Sequence, residues 1–210
     1  MHHVSVRKGV PVIRRAREPG SFTHLHVHSN FSMLAGTRRV EELVAAAYAC
    51  EMDALALTDT DAMHAVVPFT EACAKLGIRP IYGAELTGED GPTFLRAVLL
   101  ARNRMGYSEI SKLVTRRRLD EDFDFGEALD GVSDNIYVLV SHELLLTRLR
   151  HLDNLRAALP VAPGHGRDRE RWRIANAARS LGVETVAAGG IWFLEGKEHL
   201  IHRVLTAIRT

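Results

Sequence analysis

Three histidines stand at alternate positions in the segment His24-Leu25-His26-Val27-His28. Because side chains at i and i+2 of a strand point to the same side, the three imidazoles would share one face if this segment is extended. Imidazole is the commonest metal ligand in proteins, and two imidazoles on one strand can hold one ion or bridge two. The spacing predicts a divalent-metal site, although core or surface histidines satisfied by hydrogen bonds would have the same spacing.

Further polar residues follow three other apolar, β-rich runs of the chain, and these are Asp59, Glu85 and His142. In barrels of parallel strands, catalytic side chains collect at the carboxyl ends of the strands. The positions therefore predict that these three residues join His26 and His28 at one face of the domain.

The pattern of apolar residues predicts the elements that would carry these side chains. Strands are predicted over residues 22–27, 54–58, 80–83, 94–101, 136–140 and 183–188. Apolar residues at helical spacing predict helices over residues 40–47, 68–76, 106–114, 168–181 and 200–208. Strands that alternate with helices indicate the α/β class, with mostly parallel strands wound into a sheet or barrel.

Composition favours one globular domain, because the chain has 210 residues, of which 46% are hydrophobic and 25% are charged. The formal net charge of +1 argues against a protein that coats duplex DNA. Cys50 and Cys73 form no CxxC pair, and no apolar run is long enough to span a membrane. We expect a cytoplasmic protein with a solvated basic lead-in over residues 1–20 and a single domain over residues 21–210.

From about Phe22 to Thr210 the chain resembles the PHP (polymerase and histidinol phosphatase) domain, in the version found in bacterial C-family DNA polymerases, the polymerase III alpha subunits and their error-prone relatives. HLHVHSNFSMLAG resembles the opening motif of that family, ALALTDTDAM its second motif, and IRPIYGAEL the segment with a glutamate ligand. VLLARNRMGYSEISKLV and AAGGIWFLEGKEHLIHRVLTAIRT resemble polymerase-type segments. The resemblance implies a PHP-type distorted (β/α) barrel of mostly parallel strands in a single domain.

Carried over by motif, the resemblance implies that His26, His28, Glu85 and His142 are metal ligands. In intact members of the family such ligands hold metal ions that activate water for attack on a phosphoester. The resemblance assigns no catalytic residue to this chain.

Four positions of the chain depart from the metal-binding pattern of the family. Ala35 stands in place of an Asp, Thr60 in place of a His, and Gly190 and Trp192 in place of the Asp and His of the closing motif. Methyl, hydrogen and indole groups cannot replace carboxylate and imidazole ligands, and a hydroxyl replaces them only weakly. We therefore expect no metal, or a weakly bound divalent ion such as zinc or manganese.

Two local predictions concern side chains around this site. An indole at Trp192 would fill the space of the lost ligands, and the paired histidines would then be held by hydrogen bonds to neighbours such as Glu85. Asp59 and Asp61 are predicted to cap the following helix and to interact favourably with its dipole.

The favoured hypothesis is a PHP domain with a degraded metal site that acts as a structural or interaction module in DNA replication or repair. The resemblance implies other polymerase regions or replication and repair proteins as partners, with DNA nearby and no membrane. The alternative is an active metal-dependent phosphoesterase, a phosphatase or exonuclease-like enzyme with a reduced site, and a third hypothesis is a metal-free binder of phosphorylated ligands. A polymerase palm is lacking, so the chain by itself would not polymerise nucleotides, and phosphoesterase activity is left open.

Overall fold

The computed structural model of the protein describes residues 22–90, 93–161 and 165–209, so the predicted lead-in over residues 1–20 lies outside the described part. The strands of this part are β1 (Ala54–Leu57), β2 (Arg79–Asp90), β3 (Thr93–Ala101), β4 (Ile136–Val140), β5 (Leu155–Leu159) and β6 (Thr185–Ala187). Its α-helices are α1 (Val40–Ala49), α2 (Val66–Leu76), α3 (Arg104–Leu119), α4 (Phe125–Asp130), α5 (Glu143–Leu149), α6 (His165–Leu181) and α7 (His199–Arg209).

The strands form one sheet in the order β1-β2-β3-β4-β5-β6. Three neighbouring pairs are parallel, whereas β3 runs antiparallel to both β2 and β4. The predicted α/β class with mostly parallel strands is confirmed. The reversed direction of β3 has a simple cause, because β2 ends at Asp90 and β3 begins at Thr93, and so short a connection can join only antiparallel neighbours.

Residues 24–28 close the curled sheet, although they do not form the strand predicted over residues 22–27. Only Val27 of this segment forms a β-bridge, and its partner is Ile191. The segment exchanges backbone hydrogen bonds of 2.9 and 3.0 Å with Ile191, and the carbonyl of Val27 accepts a third, of 2.9 Å, from Thr58 just after β1. The contacts with Ile191 and with Thr58 are each too short to form a regular β-ladder. Together they join the two edges of the sheet into a distorted barrel.

Helices α1 and α2 cover the outer side of β1. The amphipathic pattern that predicted α1 is confirmed, because Val40, Leu43, Val44 and Ala47 are all buried. Helix α2 ends at Gly77, as predicted, and the φ angle of 69° at this residue lies in the left-handed region that favours glycine. These two helices form one hydrophobic cluster, and α3 to α6 form a second against the rest of the sheet.

Inside the curl of the sheet lies a small third cluster of apolar side chains, made of Ala56, Val98, Leu100, Leu139, Ala158 and Ala188. This layer separates the two ends of the barrel. None of the helices in the described ranges combines the length and the apolar character needed to cross a bilayer.

Candidate metal centre

Glu85 lies at the centre of the site, and its side chain is fully buried. Its Oε1 atom lies 3.1 Å from Nε2 of His26, while Oε2 accepts hydrogen bonds from the Thr60 hydroxyl at 2.9 Å and from the Arg96 guanidinium at 2.8 Å. Burial alone would raise the pKa of Glu85, but the hydrogen bond from His26 and nearby positive charge, that of Arg96 included, lower it to about 2. Glu85 is therefore ionised, and it is the anion around which the site is built.

The register of two antiparallel strands brings Arg96 to Glu85. Glu85 pairs with Val98 across β2 and β3, and Thr87 pairs with Arg96. Residues opposite one another in an antiparallel pair share a face, and so do residues i and i+2 of one strand. Arg96 is thus the diagonal neighbour of Glu85 on the inner face of the barrel. Arg96 could not be recognised from the sequence, because nothing near this residue in the chain indicates which strand it faces.

The two histidines of the opening segment are linked through a defined chain of hydrogen bonds. The Ser32 hydroxyl donates its single proton to Asp59 at 2.7 Å and accepts the backbone N–H of Thr60 at 3.0 Å. Nδ1 of His28, 2.9 Å from the same hydroxyl, must therefore be the donor, which leaves Nε2 of His28 as an acceptor. The single Nε2–H of His26 is then shared between Nε2 of His28 at 2.8 Å and Oε1 of Glu85 at 3.1 Å. Burial, followed by the charge of His26, lowers the pKa of His28 well below its usual value. His28 is accordingly neutral.

Asp59 and Asp61 do not cap a helix, and that prediction is wrong. Helix α2 begins only at Val66, and the carboxylate of Asp59 instead accepts hydrogen bonds from the backbone and hydroxyl of Ser29 at 2.7 and 2.8 Å. Asp61 accepts the backbone N–H of Thr87 at 2.9 Å. Both aspartates fasten loops around the site, and neither replaces the missing ligand at the second motif.

Trp192 packs against the histidines, as predicted. Its indole stacks on the His28 ring with centroids 3.4 Å apart and planes 5° apart, and the Arg96 guanidinium lies 5.8 Å from the indole centroid. A Cβ atom added to Gly190 would lie 2.7 Å from Nε1 of Trp192 and 3.4 Å from Cε1 of His26. The glycine and the tryptophan at the two altered positions therefore fit one another, because the indole uses the space that a side chain at Gly190 would need.

The structure brings together three of the four predicted ligands, with one donor atom from each within 4.8 Å of the others: His26, His28 and Glu85. His142 lies outside this group, at the N-terminus of α5, where its Nδ1 accepts a backbone N–H at 3.3 Å. Its role as a metal ligand stays a prediction. His24 also lies outside the group, beside the ring of Phe22.

Two imidazole nitrogens and a carboxylate oxygen are donors that zinc and manganese accept, so the three residues fit one divalent ion in the chemistry of their atoms. Two features of the site oppose that fit. Oε2 of Glu85 is already bound to Arg96 and Thr60, and Nε2 of His26 carries a proton in the hydrogen-bond chain. An ion would have to move that proton and share the carboxylate with a guanidinium.

Comparison with known proteins places these observations in a family. The PHP domain model matches residues 24–183. An error-prone DNA polymerase of Xanthomonas oryzae pv. oryzae is 32% identical over 222 residues, which cover 99% of this chain and 19% of that protein. An error-prone DNA polymerase of Symbiobacterium thermophilum is 43% identical over 102 residues, 49% of this chain and 9% of that protein. The DNA polymerase III alpha subunit of Halalkalibacterium halodurans is 37% identical over 123 residues, covering 55% and 11%. The chain thus spans a fifth or less of the length of these polymerases.

Solved structures with the same architecture have distant sequences. An amidohydrolase from Chromobacterium violaceum superimposes with a TM-score of 0.58 at 13% identity, covering 81% of this chain and 87% of that one. A two-domain protein from Bacteroides vulgatus is described as containing a predicted PHP-like metal-dependent phosphoesterase. It superimposes with a TM-score of 0.57 at 16% identity, covering 81% of this chain and 51% of that one. Identities this low bear on the fold alone, and they agree with the distorted barrel expected from the sequence.

Proposed function

The chain belongs to the PHP domain family, and we propose that it acts as a structural or interaction module in DNA replication or repair, with a metal site too degraded for dependable catalysis. One observation carries this proposal, namely the ion pair between Arg96 and the fully buried Glu85 at 2.8 Å. A buried carboxylate requires a positive partner. Here that partner is part of the protein, so the carboxylate needs no metal ion for its stability.

The altered ligand positions support the same proposal. The Thr60 hydroxyl donates to Glu85 at 2.9 Å, and Trp192 stacks on His28, so both replacement residues belong to the packed network. Ala35 is also buried and offers no donor side chain. An ion held by His26, His28 and Glu85 would be a single zinc or manganese, and it would be weakly bound. Its chemistry would be to polarise a phosphoester or activate a bound water.

Helix α7 supplies a surface for the proposed interaction. Four apolar side chains form an exposed stripe along it, between 52% and 66% accessible: Leu200, Ile201, Val204 and Ile208. Contiguous exposed apolar surface on a folded domain marks an interaction site. The polymerases that the chain resembles are at least about five times longer, and we propose that another polymerase region packs on this stripe. DNA would then lie near the module through that partner.

Metal content and hydrolysis test the proposed loss of catalysis. The purified chain is dialysed against zinc and against manganese, the bound metal is counted by mass spectrometry, and hydrolysis of bis(p-nitrophenyl) phosphate is followed. We expect less than one ion per chain and no turnover above buffer. Two or more bound ions together with turnover that a chelator abolishes would overturn the proposal.

A second experiment tests the interaction surface. The tagged chain is mixed with a polymerase polypeptide from the Xanthomonas relative that lacks its own matching region, and co-purification is measured. Val204→Glu should abolish co-purification, whereas Val67→Glu should leave it unchanged, because Val67 is an even more exposed valine but lies on α2. Equal loss in both variants, or no co-purification of the unaltered chain, would count against the stripe as the interface.

The alternative function is a phosphoesterase that uses one metal ion. The close grouping of His26, His28 and Glu85 favours it, because three ligands with an open fourth position form the usual arrangement of a catalytic zinc site. Turnover that depends on one bound ion, and that is lost on His26→Ala, would favour this alternative over the structural module.

A further inference from the structure

A cavity of about 1000 Å³ lies at the end of the barrel opposite the metal centre. The order of the inward-facing residues along β2 and β3 shows that the cavity and the metal centre lie at opposite ends of the barrel. Along β2 the cavity residue Ile81 comes before Glu85 of the centre, and along the antiparallel β3 the cavity residue Leu100 comes after Arg96. The cavity size lies at the upper end of the range typical of small-molecule sites.

The lining of this cavity combines an apolar floor, aromatic rings and a basic rim. The floor includes Leu25, Ile81, Leu100, Leu139 and Val186. The rings belong to Tyr82, Tyr107 and Tyr137, and the rim holds Arg79, Arg102, Arg104 and Arg156. No Asp or Glu is among the described residues that line the cavity, so the charged side chains of its lining are all positive.

Two of the four rim arginines, Arg102 and Arg156, have interaction partners within the fold. Arg102 donates to a backbone carbonyl at 2.7 Å and lies 4.8 Å from the Tyr137 ring, and Arg156 pairs with Glu184 at 3.0 Å. In the part of the chain that the structure covers, the side chains of Arg79 and Arg104 form no hydrogen bond or ion pair. Guanidinium groups bind phosphate and carboxylate through paired hydrogen bonds, and here two of them are available beside an apolar cavity.

We propose that this cavity binds a small molecule with a flat aromatic body and an anionic group, the chemistry of a nucleoside monophosphate. The aromatic body would stack on the tyrosine rings over the apolar floor, and the phosphate would bind at the arginine rim. The proposal is independent of the function proposed for the metal centre, since it uses none of the residues there.

Titration calorimetry of the full chain with adenosine monophosphate, adenosine and inorganic phosphate tests this site. We expect saturable binding of the monophosphate, and binding of the two fragments weaker by about tenfold or more, since each lacks half of the interactions. The double variant Arg79→Ala/Arg104→Ala should weaken binding of the monophosphate by about tenfold, the effect of lost charge-assisted hydrogen bonds. Arg173→Ala is the matched control, because Arg173 is exposed on α6 and pairs with Glu143.

A structural readout locates the bound molecule. In methyl-labelled protein the Ile81 methyl resonance should shift on addition of the monophosphate, whereas that of Ile110, a buried residue of α3 outside the cavity, should not. The proposal is overturned if folded protein shows no saturable binding at millimolar monophosphate, or if the double variant and Arg173→Ala bind equally. Inorganic phosphate bound as tightly as the monophosphate would overturn the aromatic part of the site.

Discussion

Removing the positive charge of Arg96 should increase the affinity of the site for zinc. The guanidinium lies 2.8 Å from Oε2 of Glu85, and an ion bound to Oε1 of the same carboxylate would lie about 5 Å from the guanidinium. At an effective dielectric constant of about 20, charges of +1 and +2 at that separation repel by ~7 kcal/mol. The Arg96 side chain is 35% exposed, so solvent screening reduces this repulsion. Even ~3 kcal/mol of it corresponds to about a hundredfold in affinity.

The variant Arg96→Gln tests this reasoning, because it removes the charge and retains a polar side chain. Zinc affinity is measured by competition with a chromophoric chelator at fixed pH, and Arg173→Gln serves as the control for loss of an exposed positive charge. We expect tighter binding by about a hundredfold in Arg96→Gln and no change in the control. Zinc should also raise the melting temperature of Arg96→Gln more than that of the unaltered chain, because binding to the folded state alone stabilises it.

The same substitution should destabilise the metal-free protein. Removing one partner of a buried ion pair costs about 3–5 kcal/mol, and the partial exposure of Arg96 places the expected loss nearer ~2 kcal/mol. Chemical denaturation with a chelator present measures it. If Arg96→Gln is folded and binds zinc no more tightly than the unaltered chain, the guanidinium does not oppose the ion, and the central argument about this site is wrong.

The remaining predictions concern packing and pH. Gly190→Ala should lower the free energy of unfolding by about 1–3 kcal/mol, because the new methyl group meets the indole of Trp192. In a Trp192→Ala background the same change should cost less, and a double-mutant cycle from urea denaturation measures the difference; equal costs would contradict the match of these two residues. The hydrogen bond from Arg38 leads the interactions that lower the pKa of Glu198 to about 2, so Glu198 stabilises the fold above pH 4.5 and this contribution is lost as the pH falls towards 2. In Glu198→Gln the free energy of unfolding should vary less with pH between 4.5 and 2. If its pH dependence equals that of the unaltered chain, Glu198 is not the source of this stabilisation.

Features governed by short-range pattern were predictable from the sequence. The amphipathic spacing of Val40, Leu43, Val44 and Ala47 predicted the buried face of α1, and Gly77 predicted the end of α2. The resemblance in the motifs predicted the family and the barrel. Each of these features depends on residues close together in the chain or on a motif that can be read directly.

The interior of the site could be predicted only in part. Alternate spacing and motif likeness brought His26 and His28 to Glu85, and the indole at Trp192 was correctly expected to pack there. The partner that pairs with Glu85 was not foreseen, and Asp59 was assigned to a helix that begins further along the chain. Both differences concern contacts between distant segments.

Tertiary structure alone decided which positive charge accompanies the buried carboxylate. Arg96 reaches Glu85 because β3 turns back against β2 in a register that sets Arg96 opposite Thr87. A shift of one residue would turn Arg96 to the other face of the sheet. The sequence by itself determined that metal-type donors meet at this end of the barrel, since local spacing and motif order are written in the chain. Strand direction and register decided that a guanidinium meets them there, because these are properties of the pairing between two segments and of neither segment alone.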